Sequence, residues 1–141
     1  MRACRTRARS APSTRGGGPL ASPPVWSGEL VVVTHRPGPF PGYLFVETRR
    51  HVASLDELTE PEVAAVARAA WVAARALRAE LDPESVHSAV AGRSVAHFHQ
   101  HVFVRHRGTP GELGWLDVDW PGAPRHDVTA LCGRLARHFT R

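Results

Sequence analysis

Apolar runs and turn residues alternate over residues 30–47 and predict two strands. Residues 30–33 are apolar and mostly β-branched, which favours a short strand. Residues 37–42 hold three prolines and two glycines, a composition that neither a helix nor a central strand accepts, so we expect a turn. Residues 43–47 predict the second strand. The two strands therefore form a hairpin-like pair around the turn.

A long stretch of helical periodicity follows the second strand. Thr59 predicts the N-cap, Pro61 suits the first turn, and Glu62 completes a capping box with Thr59. Asp82 and Pro83 predict the end of the helix near residue 81, because the residue before a proline avoids helical backbone angles. The apolar positions at helical spacing, which predict the buried face, are Val63, Val66, Ala70, Leu77 and Leu81.

The second half of the chain predicts two more strands and a short helix. Residues 86–91 and 94–104 predict strands joined through Gly92, and residues 128–139 predict a closing helix. A loop rich in glycine, proline and tryptophan lies between them at residues 106–125. Strands with one long helix between them favour an α+β fold with an antiparallel sheet.

The first 24 residues differ from the rest of the chain. Residues 1–24 carry five arginines and no acid, which predicts a disordered tail, and residues 25–141 predict one domain. The tail accounts for the net charge of +5, so the domain itself is neutral and does not favour nucleic-acid binding. We favour an inert tail over an organellar transit peptide or a nucleic-acid arm. The tail lacks the apolar core of a secretory signal and no run of 18 apolar residues occurs, so we expect a cytoplasmic protein.

The most informative segment places three histidines at alternate positions of a predicted strand. His97, His99 and His101 therefore share one face. Gln100 falls on the opposite, core-facing side, where an amide is unusual. Three imidazoles on one face are costly unless they are used, because each ring needs polar partners. The other residues predicted on the core-facing side are Ala96, Phe98, Val102 and Val104.

Two chemistries suit the three histidines. One is metal binding, since imidazole is a common zinc ligand, but the nearest acids, Glu84 and Glu112, lie outside the segment. The other is nucleophilic catalysis at phosphorus, in which a neutral ring forms a phosphoramidate that water then cleaves. That reaction needs donors for the phosphate oxygens and close backbone approach. Gly92 and Ser94, just before the histidines, provide both.

The segment GRSVAHFHQHVF at residues 92–103 resembles the motif of the histidine triad (HIT) family, in which three histidines alternate with other residues after Gly-x-Ser. The order of the upstream segments also resembles the family. PGYLFV at residues 41–46 and RRHV at residues 49–52 come before the long helix. The resemblance covers residues 25–107.

The resemblance implies both a fold and an activity. The fold is an antiparallel sheet with one long helix between strands and a short C-terminal helix, usually in a homodimer. The activity is that of a nucleotide hydrolase or transferase acting at the α-phosphorus of dinucleoside polyphosphates or nucleoside phosphoramidates. His99 takes the role of nucleophile, His97 and His101 flank it, and Gly92 and Ser94 match phosphate-contacting positions. No cofactor or catalytic metal is implied, although polyphosphate substrates can carry magnesium.

Several positions depart from the family pattern. Tyr43 replaces a histidine found in many members, and residues 34–36 (Thr-His-Arg) replace an aspartate that holds ribose. These departures keep open a non-catalytic nucleotide-binding module, and the histidines keep open a metal hydrolase. Arg105, just past the triad, is expected to hold phosphate, because guanidinium matches phosphate geometry.

The remaining histidines are expected to be structural. His51 is expected to stabilise its turn, and His138 to interact with the C-terminal end of the last helix. A solvated surface role is expected for His35, His87 and His106, with the lining of a pocket mouth as the alternative.

Overall fold

The computed structural model describes residues 22–92 and 95–141. Five strands form an antiparallel sheet in the order β1-β2-β3-β5-β4. The strands are β1 (Pro24–Ser27), β2 (Val31–His35), β3 (Tyr43–Thr48), β4 (Ser85–Ala89) and β5 (His99–Arg105), and the helices are α1 (Glu60–Leu81) and α2 (Val128–Phe139). The α+β fold with one long helix between strands is confirmed.

Helix α1 begins and ends where its sequence signals predict. The Thr59 side chain accepts from the Glu62 backbone, and the Glu62 carboxylate accepts from the Thr59 backbone. Asp82 adopts left-handed backbone angles and caps the C-terminus. Val63, however, is 45% exposed, so its predicted place on the buried face is wrong. The buried face is instead rich in alanine, which brings the helix backbone close to the sheet.

The first strand carries no clear sequence signal. β1 is four residues long and contains a proline, and it begins at Pro24, the last residue of the predicted tail. Its Trp26 ring stacks on Phe139 of α2, with centroids 5.1 Å apart. A contact between the two ends of the domain therefore holds this edge strand. Residues 1–21 of the predicted tail lie outside the described residues.

The last predicted strand is shorter than expected. β5 begins at His99, and the chain bends at Ala96 and His97. Ala96 is consequently exposed, and its predicted place in the core is wrong. Gln100, predicted to place an unusual amide in the core, is only half-buried. Its amide donates to the Ser88 hydroxyl on the edge strand β4 at 2.7 Å.

The two faces of the sheet have different neighbours. Both helices pack against one face, over a core that includes Leu44, Val46, Val102 and Val104. The opposite face, here called the triad face, carries the alternate residues of β3 and β5. On this face lies a second hydrophobic cluster, rich in aromatic rings. It is formed by Phe40, Tyr43, Phe45, Phe103, Val118 and Ala123, with Trp120 packed against it.

Within residues 22–92 and 95–141, no helix has both the length and the apolar character that crossing a membrane requires. The cytoplasmic location inferred from the sequence stays a prediction.

Candidate active site

The ring of His99 is held in one orientation by a backbone group. Its Nδ1 lies 2.9 Å from the carbonyl oxygen of His97. A carbonyl only accepts hydrogen bonds, so Nδ1 carries the proton and the neutral ring keeps its lone pair on Nε2. The residue is 8% exposed. The arrangement therefore leaves Nε2 as a nucleophile in a largely desolvated setting.

The bend before β5 creates this hydrogen bond. The backbone N–H of Phe98 donates to the Val52 carbonyl at 2.7 Å, outside the regular ladder that starts at His99. In a regular strand the His97 carbonyl would point towards a neighbouring strand and could not reach the His99 ring. The prediction that His97 shares one strand face with His99 and His101 is therefore wrong. The bend nevertheless brings His97 beside His99, with the His97 Nε2 donating to the Thr48 carbonyl at 2.9 Å.

His51 supports His97 from the other side. The two Nδ1 atoms are 3.0 Å apart and the rings are stacked, with centroids separated by 5.2 Å. Since Nε2 of His97 already donates, its Nδ1 accepts from His51. Burial lowers the pKa of His97, which favours this neutral form. The turn that carries His51 is fastened to α1, because Arg50 donates to the Glu62 carboxylate at 2.8 Å.

His101 lies next to His99 on the triad face, with ring centroids 4.9 Å apart. Its Nδ1 is 2.8 Å from the hydroxyl oxygen of Tyr43, and its Nε2 is buried without a hydrogen-bond partner in the described part of the chain. Burial lowers the pKa of His101 to about 4. The ring is therefore neutral at pH 7 and takes part in the site as a hydrogen-bonding group.

A cation beside these residues was not predicted from the sequence. The guanidinium carbon of Arg36 lies 4.3 Å from the centre of the Tyr43 ring. Arg36 directly follows β2. A lone arginine in a proline-rich turn gives no sequence signal for a site. In the fold it adds a positive charge next to the Tyr43–His101 pair, suited to an anionic ligand.

Two histidines expected at the surface are buried, and both expectations are wrong. Nε2 of His35 accepts from the Gly42 backbone N–H at 2.9 Å, and Nδ1 of His35 donates to the Arg36 carbonyl at 2.7 Å. Nε2 of His106 donates to the Pro41 carbonyl at 2.8 Å. The proline-rich turn has few backbone partners of its own, so these imidazoles bind its polar groups.

Gly42 in this turn cannot be replaced without strain. Its φ is +101°, and an added Cβ would lie 2.6 Å from a Val104 methyl and 2.8 Å from a Leu81 methyl. The close approach of the turn to the helix-covered core therefore requires glycine.

The predicted phosphate contacts are not all brought to His99. Gly92 has a φ of +64°, and no atom of the described residues lies within 4 Å of the position that a Cβ would take. Ser94 lies outside the described residues. Arg105 lies six residues along β5 from His99, about 20 Å away at 3.3 Å per residue. Its guanidinium donates to the Pro110 carbonyl at 2.6 Å.

Arg105 lines a separate cavity of about 390 Å³ together with His87, Phe103 and Trp115. His87 is thus a cavity residue with its Nε2 2.8 Å from the Ser85 hydroxyl oxygen. At the far side of the domain, His138 pairs with Glu80 at 2.9 Å. The described ranges contain no group of three or more His, Cys, Asp or Glu side chains that could hold a metal ion.

Comparisons with known structures identify the fold. A zinc-bound histidine triad family protein from Mycobacterium smegmatis aligns with a TM-score of 0.66 and 21% identity, covering 87% of each chain. A histidine triad protein from Bradyrhizobium japonicum aligns with a TM-score of 0.69 and 20% identity, over 83% of this chain and 90% of its own. A histidine triad nucleotide-binding protein from Sulfolobus tokodaii aligns with a TM-score of 0.65 and 14% identity, over 86% of this chain and 85% of its own.

Sequence comparison gives the family. No curated protein matches the chain at a significant level. A family model described as the HIT domain matches residues 26–108. That region is more than half of the chain and contains the turn, the long helix and all three histidines of the motif. The chain therefore belongs to the histidine triad (HIT) family.

Proposed function

We propose that this protein is a nucleotide hydrolase or nucleotidyl transferase that cleaves at an α-phosphorus through a nucleotidyl–His99 intermediate. The observation that carries the proposal is the bond from Nδ1 of His99 to the His97 carbonyl. It fixes the tautomer in which Nε2 is unprotonated, and a nucleophilic imidazole requires that lone pair. The substrate class is a dinucleoside polyphosphate or a nucleoside phosphoramidate.

The proposed reaction has two displacement steps. In the first, the Nε2 lone pair of His99 bonds to the α-phosphorus, and the bond to the leaving group breaks with its electron pair. The ring becomes positively charged, and its Nδ1–H stays on the His97 carbonyl. In the second, water attacks phosphorus, its proton passes through solvent to the departed leaving group, and the bond from phosphorus to Nε2 breaks with its electron pair returning to Nε2. The neutral ring is restored and a nucleoside monophosphate is released.

Groups around His99 suit the charge that this reaction develops. Arg36 supplies a cation next to Tyr43 and His101. The Tyr43–His101 pair provides hydrogen-bonding groups for phosphate or leaving-group oxygens. Gly92 and Ser94 stay predicted phosphate contacts. Arg105 lies too far from His99 to contact the α-phosphate, so its proposed contact is with a distal part of a long substrate.

The proposal is tested by turnover on nucleoside 5′-phosphoramidates and dinucleoside polyphosphates with varied bases, with and without a chelator. Wild type should release nucleoside monophosphate in both conditions. His99→Asn should lose roughly 1,000-fold or more in kcat, since loss of a nucleophile costs about that much or more. His126→Asn, an exposed histidine, serves as the matched control and should retain activity. Mass spectrometry of base-quenched wild type should detect the nucleotidyl adduct.

Loss of turnover in chelator with retention in His99→Asn would instead support the metal hydrolase.

A non-catalytic nucleotide-binding module is the second candidate, and Tyr43 favours it. Its hydroxyl lies 2.8 Å from Nδ1 of His101, and a phenol does not exchange protons in the neutral range as an imidazole does. The module predicts saturable nucleotide binding by calorimetry without turnover on any substrate of the panel.

We also infer that the protein forms a homodimer, as the family resemblance implies. Within the described part of the chain, β4 ends the sheet with one edge unpaired. Exposed edge strands and large apolar side chains favour association, and Trp71 and Trp115 are 57% and 77% exposed. Light scattering during size-exclusion chromatography should give twice the chain mass. A single-chain mass over a range of micromolar concentrations would contradict the dimer.

A further inference from the structure

A carboxyl group lies buried on the triad face of the sheet without a partner. Glu47, on β3, is 0% exposed. Neither of its carboxyl oxygens has a hydrogen-bond partner among the described residues. Buried carboxyls are normally paired or hydrogen-bonded, because isolated burial costs several kcal/mol. The fold therefore carries an uncompensated polar group at this position.

The strand register places this carboxyl next to the proposed nucleophile. Glu47 is directly opposite His99 across the β3–β5 ladder and opposite Val32 on β2. Directly opposed residues have Cβ atoms about 4.5–5.5 Å apart and share one face of the sheet. The Glu47 side chain thus projects on the side of the sheet that carries the His99 ring.

Within residues 22–92 and 95–141, no charged side chain pairs with the Glu47 carboxyl. From β2 it faces Val32 and Thr34, which do not ionise. Among the described residues, the titratable groups on or beside this face are His97, His99 and His101 from the bend and β5, Tyr43 from β3 and His87 from β4, with Arg36 and Asp117 near Tyr43. Burial raises the pKa of Glu47 to about 7, so its charge changes in the neutral range.

An apolar side chain of similar size would avoid the cost of burying Glu47. A carboxyl that destabilises the fold and lies beside a reactive group is typical of functional sites. The charge on the His99 ring is the change that this carboxyl would sense most strongly. The Coulomb interaction between side chains on directly opposed residues remains strong where water is excluded.

We propose that Glu47 is a positioning residue whose ionised carboxylate stabilises the positive charge that His99 acquires when it bonds to phosphorus. It does so through space, without touching the substrate. This inference rests on the function proposed above. It implies that formation of the nucleotidyl–His99 adduct speeds up as Glu47 ionises.

The kinetic test compares Glu47→Gln with wild type in single-turnover experiments from pH 6 to pH 8.5. Glu47→Gln keeps the shape of the side chain and removes its charge. It should form the adduct at least about tenfold more slowly at pH 8 and lose the rise in rate between pH 6 and pH 8. An unchanged rate and pH profile would overturn the proposal.

A matched variant separates the charge of Glu47 from the removal of any buried polar group. Thr34→Val removes a buried hydroxyl that also lacks a partner on the same face. It should leave the pH profile as in wild type. Glu47→Leu should raise Tm while slowing adduct formation, a combination that a purely structural side chain would not give. A loss of the pH-dependent rise in Thr34→Val would contradict the proposal.

A readout without turnover keeps this inference distinct from the proposed function. The side-chain carboxyl of Glu47 can be titrated by ¹³C NMR in His99→Asn and in His99→Lys, which places a positive charge at position 99. If a charge there interacts with Glu47, His99→Lys should lower the Glu47 midpoint relative to His99→Asn by at least about half a unit, because a nearby cation favours the carboxylate. An identical midpoint would overturn the inference, whether or not the wild type turns over nucleotides.

Discussion

Lowering the pH from 7 to 5 should destabilise the fold through His35. Its imidazole is 0% exposed, and burial lowers its pKa from 6.5 to about 4. The unfolded chain therefore binds a proton that the folded protein does not. Stability from the neutral ring is present above pH 6.5 and is lost as the pH falls towards 4. At about 1.4 kcal/mol per pH unit, the loss from this residue between pH 7 and pH 5 is about 2 kcal/mol.

Other buried groups also titrate in this range. His101, with its pKa lowered to about 4, acts in the same direction as His35. Glu47 acts in the opposite direction, because its raised pKa means that the folded state binds the extra proton, so stability increases as the pH falls from 7 towards 4.5. The pH dependence of wild type alone therefore cannot isolate His35, and a difference between two proteins is required.

The assay is urea unfolding of wild type and His35→Leu at pH 7 and pH 5. At pH 7 the variant should be less stable by about 1–3 kcal/mol, because the Gly42 N–H loses its acceptor. At pH 5 this difference should shrink by about 2 kcal/mol, since only wild type loses the contribution of the neutral His35 ring. The contributions of His101 and Glu47 cancel in the comparison.

His126→Gln, an exposed substitution, should follow wild type at both pH values. A His35→Leu stability curve that stays parallel to wild type from pH 7 to pH 5 would refute the reasoning, because it would mean that the buried ring does not resist protonation.

Three further substitutions have defined outcomes. Thr59→Ala removes the cap of α1 and should cost about 1 kcal/mol in thermal unfolding while kcat stays unchanged. Tyr43→Phe removes the hydrogen bond to His101 and should lower kcat/KM by about 3- to 10-fold in steady-state assays. His51→Phe keeps the stack on His97 but removes its donor, so kcat should fall several-fold with little change in Tm; an unchanged kcat would show that the bond to His97 is not needed.

The long helix and the histidine motif are predictable because their signals are local. Thr59 and Glu62 cap α1 within one turn of chain, so sequence spacing alone specifies the cap. The alternation of His99 and His101 likewise places both rings on one face of β5. The position of His97 is not predictable in this way. The bend that removes it from the strand depends on the hydrogen bond between Phe98 and Val52, which are far apart in sequence.

The burial of His35 and the positions of Arg36 and Glu47 near the site depend on tertiary contacts, which the sequence does not reveal. His35 is buried because the turn after β2 folds back on it, and nothing in the sequence near His35 reveals this. Arg36 and Glu47 become parts of the site only through the strand order, which sets β3 between β2 and β5. β1 was missed since its four residues are held by the stacking of Trp26 on Phe139 from the other end of the domain.

The acceptor that fixes the His99 ring is a main-chain carbonyl, and this determines which mutations can disturb the ring. No single amino-acid substitution can delete a peptide oxygen, so the orientation of the nucleophile is shielded from most point mutations at position 97. The vulnerable element is the path of the chain. A proline at position 98 would remove the N–H that anchors the bend to Val52. The backbone geometry between residues 96 and 99, rather than any one side chain, is therefore what holds the His99 ring in its orientation.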